Sequence, residues 1–148
     1  MITRRSIICA TTAAVALGMF GRAGAQLRPL VRVYKSPTCG CCGEWVKHLR
    51  ENGFRVETRE FADVTPVRRR YGVPDHLASC HTAVVGGYAI EGHVPASDIQ
   101  RLLRERPRVS GLAVPGMVPG SPGMEQGPPQ PYETLAFNGR GSRIFARH

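Results

Sequence analysis

Three cysteines crowd into one turn of this chain: the stretch YKSPTCGCCGEW, residues 34–45, carries Cys39, Cys41 and Cys42. The flanking pattern says where such a turn must sit. Val31 and Val33 alternate with Arg32 and Tyr34 as a short strand, and Ser36-Pro37-Thr38 breaks it and offers hydroxyl caps to a helix. Cys42, Trp45, Val46 and Leu49 then fall at helical spacing, one apolar stripe that ends at Asn52-Gly53. The thiols therefore stand where a strand hands over to a helix. At that end of a helix the free N–H groups and the dipole favour negative charge, so Cys41 and Cys42 are expected to ionise readily. A disulfide scaffold would spread its cysteines, because a crosslink stabilises more when it closes a longer loop. Thiols packed into one turn suit redox exchange or the capture of a soft metal ion instead.

The rest of the chain supplies a fold around the turn. Phe54, Val56 and Thr58 alternate with charged residues as a second, half-buried strand, and Thr65-Pro66 opens a short helix closed by Gly72. Thr82–Val85 and Tyr88–Ile90 flank Gly86-Gly87, a tight hairpin, and Ile99, Leu102 and Leu103 mark a helix that stops at Pro107. The order is βαβ, a short helix, then ββα, which predicts an α/β, thioredoxin-like single domain with the cysteine turn where such folds carry a redox centre. That domain is expected over residues 26–106. Residues 107–148 form a Pro/Gly/Met-rich extension with no regular element until a terminal hairpin, Thr134–Phe137 and Arg143–Phe145, around Asn138-Gly139. The run Arg68-Arg69-Arg70 sits beside Val67 and Tyr71 and reads as a solvated helix face.

Residues 1–25 read as a signal peptide: Arg4 and Arg5, an apolar run from Ile7 to Phe20, then Ala23-Gly24-Ala25 before Gln26. The run is shorter than the ~20 residues a bilayer span needs, so no stable membrane anchor is expected. Arg4-Arg5 also fits a twin-arginine leader, and the expected location is the periplasm. Removing the leader takes away Cys9 and three arginines, lowers the formal net charge from +9 to +6, and leaves 123 of the 148 residues. Export argues against nucleic acid as the partner of this basic chain.

Four thiols then remain, Cys39, Cys41, Cys42 and Cys80. Cys39 and Cys42 form a CxxC pair suited to thiol–disulfide exchange, but Cys41 between them would compete for any mixed disulfide. Three soft donors at close quarters suit Cu(I) better. Cys80 precedes the predicted third strand, opposite the cysteine turn in a thioredoxin-like fold, so all four can converge. His93 and His81 can line the site, Met117 and Met124 add thioether donors from a repeated Pro-Gly-Met theme, His48 falls on the polar side of the first helix, and His76 and His148 have no constellation around them. A Cys₄ zinc site is disfavoured because the adjacent Cys41 and Cys42 are expected to point in different directions, whereas a multinuclear cluster uses both. An iron–sulfur cluster has the same thiol count.

SPTCGCCGEW, Ser-Cys-His-Thr at residues 79–82, EGHVPA at 91–96 and GLAVPGMVPGSPGME at 111–125 together resemble the CopG-type family of bacterial periplasmic copper proteins. That family is distinct from the DNA-binding repressor of the same name and was long catalogued as a domain of unknown function. Val118 departs from its Pro-Gly-Met-Pro pattern. The resemblance implies a thioredoxin-like fold and copper held by Cys39, Cys41, Cys42 and Cys80, as a small multinuclear thiolate cluster. It also implies a role in handling or interconverting Cu(I) and Cu(II), alongside other periplasmic copper-handling proteins. Whether the chain is an enzyme stays open; the enzymatic alternative is a thiol–disulfide oxidoreductase using Cys39 and Cys42. Ala23 and Ala25 supply the small side chains a signal peptidase accepts, so intact-mass measurement of the exported protein should give a chain starting at Gln26. A product retaining residues 1–25 would remove the argument for export.

Overall fold

Alternation along two strands decides the first pairings. In β1, Leu30–Lys35, Val31 and Val33 are fully buried, and the strand pairs in parallel with β2, Arg55–Glu60, across the crossover helix α1, Gly40–Glu51. The computed structural model describes residues 28–148. The expected leader, its cleavage before Gln26 and Cys9 lie outside them. On its other side β1 runs antiparallel to β3, His81–Val85, which turns through Gly86-Gly87 into β4, Tyr88–Glu91. Both turn glycines have positive φ, 56° and 87°, the requirement of the tight hairpin the sequence predicts.

The helical stripe of α1 buries as its spacing predicts: Cys42, Trp45, Val46 and Leu49 all face inward. Trp45, Val46 and Leu49 pack with Val31, Val33, Ile90 and Leu112 and with Ile99 and Leu102 of α3, Ala96–Glu105. The opposite face of the sheet carries a smaller cluster of Val73, Leu77, Ala89, Ala113 and Phe137, after α2, Thr65–Arg70, and beside a 3₁₀ turn at Asp75–Leu77. Ala89 and Ile90 belong to different clusters because successive strand residues point to opposite faces. Full burial of a side chain the size of Leu102 or Ile99 is worth about 1.5–3 kcal/mol, which makes the α3 stripe a main anchor of the fold.

Four local expectations are corrected. The Pro/Gly-rich segment does contain a regular element, β5, Gly111–Ala113, parallel to β4 and antiparallel to β6, Glu133–Asn138. Three residues are too few to show alternation, and a side chain at 111 would meet the Ala89 carbonyl at 1.9 Å, so only glycine admits this strand. The terminal hairpin of β6 and β7, Gly141–Arg147, turns at Gly139-Arg140, one residue later than expected, because Asn138 pairs with Gly141 and its Oδ1 accepts from the Arg140 N–H at 2.8 Å. The edge strand β2 buries less than its alternation suggests, with Thr58 exposed and Val56 only half-buried. Finally, α1 has Cys39 at its N-cap with no side-chain cap, since the Ser36 hydroxyl accepts from the Thr38 N–H inside the preceding turn. The result is a mixed α/β domain on one seven-stranded sheet, ordered β2-β1-β3-β4-β5-β6-β7.

Candidate metal centre

The register of β1 on β3 opposes Lys35 to His81, so the chain entering β3 lies beside the turn that leaves β1. Cys80 thereby meets the first turn of α1. The Sγ atoms of Cys39, Cys41, Cys42 and Cys80 all lie within 4.8 Å of one another. Cys39 and Cys42 are joined as a disulfide, while Cys41 and Cys80 are free. Cys41 Sγ is 3.6 Å from Cys39 Sγ, and Cys42 Sγ is 3.8 Å from the Cys80 carbonyl oxygen. Cys41 and Cys42 thus do not diverge as their adjacency suggests. Side chains of a helix lean toward its N-terminus, which gathers both sulfurs around the N-cap Cys39.

Two histidines complete the surroundings of Cys80. His93 Nε2 lies 3.0 Å from Cys80 Sγ, and His81 Nδ1 lies 3.3 Å from it. The other nitrogen of His93 is 2.7 Å from the Pro122 carbonyl, which can only accept, so Nδ1 carries the proton and Nε2 offers its lone pair toward the sulfur. This is how a metal-binding imidazole is usually oriented. Burial pushes the His93 pKa down, and it pushes that of His81 to about 3, with His93 adding to the effect. Both rings are therefore neutral at physiological pH. His81 is wholly buried under Trp45, ring centroids 4.3 Å apart, and its Nε2 has no partner. Cys80, His81 and His93 form a second set of donor atoms within 4.8 Å. Burial first, and then Cys41, push the Cys80 thiol up to about 12, so it keeps its proton until a cation displaces it.

The segment around Cys80 is held from beneath. Glu91 is fully buried and its Oε1 accepts from Arg68 Nε at 2.8 Å and the Ser79 N–H at 2.7 Å, while Oε2 accepts from the Thr82 hydroxyl at 2.6 Å. Arg68 Nη2 also donates to the Ser79 carbonyl at 2.7 Å. Burial raises the Glu91 pKa and these donors oppose the rise. Arg68 is consequently no solvated residue, which corrects the reading of the arginine run, whereas Arg69 stays exposed in a loose 3.9 Å pair with Asp75. Periodicity places Arg68 on a helix but gives no sign of a buried acid beneath it.

From above, the Pro/Gly-rich segment closes over the cysteines. A side chain at Gly123 would come within 2.8 Å of the Cys41 carbonyl and the Trp45 nitrogen, so glycine lets this loop lie against α1. The Ser79 hydroxyl donates to the Gly116 carbonyl. Met124 lines a cleft of about 390 Å³ together with Gly40, Cys41 and Glu44, whereas Met117 is 56% exposed and does not line it. Val118, the departure from the Pro-Gly-Met-Pro pattern, packs half-buried against the core. A cavity of about 470 Å³ beside the β6–β7 turn is lined by neither Cys nor His, so volume alone does not mark the site. Of the remaining histidines, His48 Nε2 accepts from the Ala96 N–H at 3.1 Å and so ties α1 to α3, and His76 sits exposed on the 3₁₀ turn. His148, expected to stand alone, binds the buried Asp98 at 2.9 Å.

Among known proteins, the family described as "Protein of unknown function, DUF411" matches residues 77–124, the stretch that holds Cys80, both site histidines and both methionines of the extension. A solved structure described as "Copper resistance protein copG", form 2, is 44% identical, with a TM-score of 0.77 over 82% of this chain and 98% of that one. The chain belongs to the CopG copper-resistance family. Form 1 of that CopG protein agrees, at 45% identity and a TM-score of 0.76 over 80% of this chain and 96% of its own. A comparison with curated proteins finds no match. No helix among the described residues is long and apolar enough to cross a membrane.

The two neighbouring arginines should behave very differently. Removing one partner of a buried ion pair costs about 3–5 kcal/mol, so Arg68→Ala should lower stability by that order in denaturant unfolding. Arg69→Ala removes only an exposed pair and should change it by about 0–1 kcal/mol. Equal effects would contradict the buried network.

Proposed function

We propose that this chain is an exported copper-binding protein that holds Cu(I) through Cys39, Cys41, Cys42 and Cys80 once the Cys39–Cys42 disulfide is reduced. The observation that carries the proposal is the convergence of four sulfurs within 4.8 Å, in a chain whose solved relatives are described as copper resistance proteins. Reduction with two electrons and two protons returns the disulfide to two thiols. Cu(I) prefers soft sulfur ligands, and thiolates can bridge neighbouring ions as well as terminate them, so the cluster is read as multinuclear. His93 and His81 add neutral nitrogen donors, which suit Cu(II) as well as Cu(I) and support a part in interconverting the two. Met124, beside Cys41, is read as a further thioether donor at the cleft. Met117, exposed and outside that cleft, can serve only if its loop moves. The order of strands and helices supports a thioredoxin-like domain over residues 26–106 with an extension over 107–148. Delivery to other periplasmic copper-handling proteins follows from the same reading, and no role for nucleic acid does.

The disulfide itself favours a second reading, a thiol–disulfide oxidoreductase using Cys39 and Cys42. Cys41→Ser separates the two. For a copper cluster the change replaces a soft ligand by a hard hydroxyl, so reduced, anaerobic protein should fall clearly below the wild type, which should hold more than one Cu(I) per chain. Cys80→Ser should lower copper content too. For an oxidoreductase, Cys41→Ser should leave insulin-reduction activity intact. Full copper loading in Cys41→Ser, with reductase activity lost only on substitution of Cys39 or Cys42, would overturn the copper reading.

A further inference from the structure

Cys80 is the one thiol of the cluster that the cysteine turn does not carry. Its distance from the other three is set by a loop, and loops hold a position only if something fixes them. Residues 78–80 belong to neither the 3₁₀ turn nor β3. The Gly116 backbone holds them from one side, through the Ala78 carbonyl and the Ser79 hydroxyl, and a wholly buried carboxylate on the adjacent strand, Glu91 at the end of β4, holds them from the other. We propose that Glu91 is a positioning residue for the metal centre, holding the Ser79–His81 backbone so that Cys80 Sγ faces the cysteine turn; the inference rests on the copper reading above.

Three features of the geometry support it. Oε1 takes two obligate donors, the Ser79 N–H at 2.7 Å and Arg68 Nε at 2.8 Å, so its contact is to the residue immediately before Cys80. Oε2 takes the Thr82 hydroxyl at 2.6 Å, on the residue two beyond Cys80. Arg68 Nη2 closes the ring by binding the Ser79 carbonyl at 2.7 Å, which satisfies both backbone groups of that residue. One carboxylate thus brackets Cys80 on both sides in sequence. Glu91 also precedes Gly92-His93, and Gly92 has φ 72° and no room for a side chain beside Ser79 and the Val114 carbonyl, so the same strand end delivers His93 to the other flank of Cys80. An apolar residue at 91 would fill the space equally well but would leave Arg68 Nε and the Ser79 N–H without their acceptor and the Arg68 charge without its counter-ion. The charge is better explained by the segment it holds than by stability, because buried ion pairs seldom stabilise more than apolar packing.

A double-mutant cycle on the full reduced chain tests this, with Cu(I) affinity read by competition against a Cu(I) chelator. Glu91→Gln keeps the shape and one acceptor but removes the charge and the second acceptor, and should weaken Cu(I) binding about tenfold or more, as loss of an outer-shell partner generally does. In the Cys80→Ser background the same change should have almost no further effect, because the ligand it positions is already gone. Thr82→Val, which strips only the Oε2 partner, should give a smaller loss in the same pattern and serves if Glu91→Gln does not fold. A role confined to stability would lower the unfolding temperature and weaken copper equally in both backgrounds. That result, or wild-type affinity in folded Glu91→Gln and Thr82→Val, would overturn the inference while leaving the copper reading in place. If Cys80→Ser alone bound Cu(I) as the wild type does, the role of Cys80 in the copper reading would fail, and the positioning role with it.

Discussion

Everything at this site depends on the antiparallel register that sets Lys35 opposite His81. It lays the loop entering β3 against the turn leaving β1, and so joins cysteines that are far apart in sequence. A slip of one residue would send His81 to the other face relative to β1 and carry Cys80 away from the cysteine turn. The register is held in the main core by the Val33–Ala83 pair, while on the other face the Glu91 network ties β3 to β4. Stability and site geometry are therefore set by the same strand pairing.

The chemistry follows from what that pairing encloses. Among the described residues, the donor atoms that converge within 4.8 Å are sulfur and imidazole nitrogen with no carboxylate in either set, which suits a soft cation better than a hard one that needs oxygen ligands. Burial keeps the imidazoles neutral, with lone pairs free, and keeps Cys80 protonated until a cation displaces the proton. The disulfide between Cys39 and Cys42 removes two of the four thiols, while Cys80, His81 and His93 stand together beside it.

Much of this could be read in the sequence because it is local. The CxCC turn, the stripe from Cys42 to Leu49 and the Gly-Gly hairpin each follow from spacing within a dozen residues, and the structure bears them out. Cys80 was placed opposite the turn by the order of strands. What escaped depends on contacts between distant elements. Arg68 looked solvated because its partner lies on β4, 23 residues on. β5 was invisible because three residues between Ser110 and Val114 carry no period and are strands only through their neighbours. His148 looked isolated because Asp98 reaches it across 50 residues. The two methionines were indistinguishable by motif, yet only Met124 lines the cleft beside Cys41.

In the proposed copper site the converged thiols hold more than one copper ion by sharing sulfur. X-ray absorption at the copper edge, on reduced protein loaded anaerobically with Cu(I), tests this most directly. The expected spectrum has a first shell dominated by sulfur and a second shell of copper at the short distance that bridging thiolates impose. A first shell of nitrogen and oxygen alone, or an isolated ion with no copper neighbour at full loading, would contradict it.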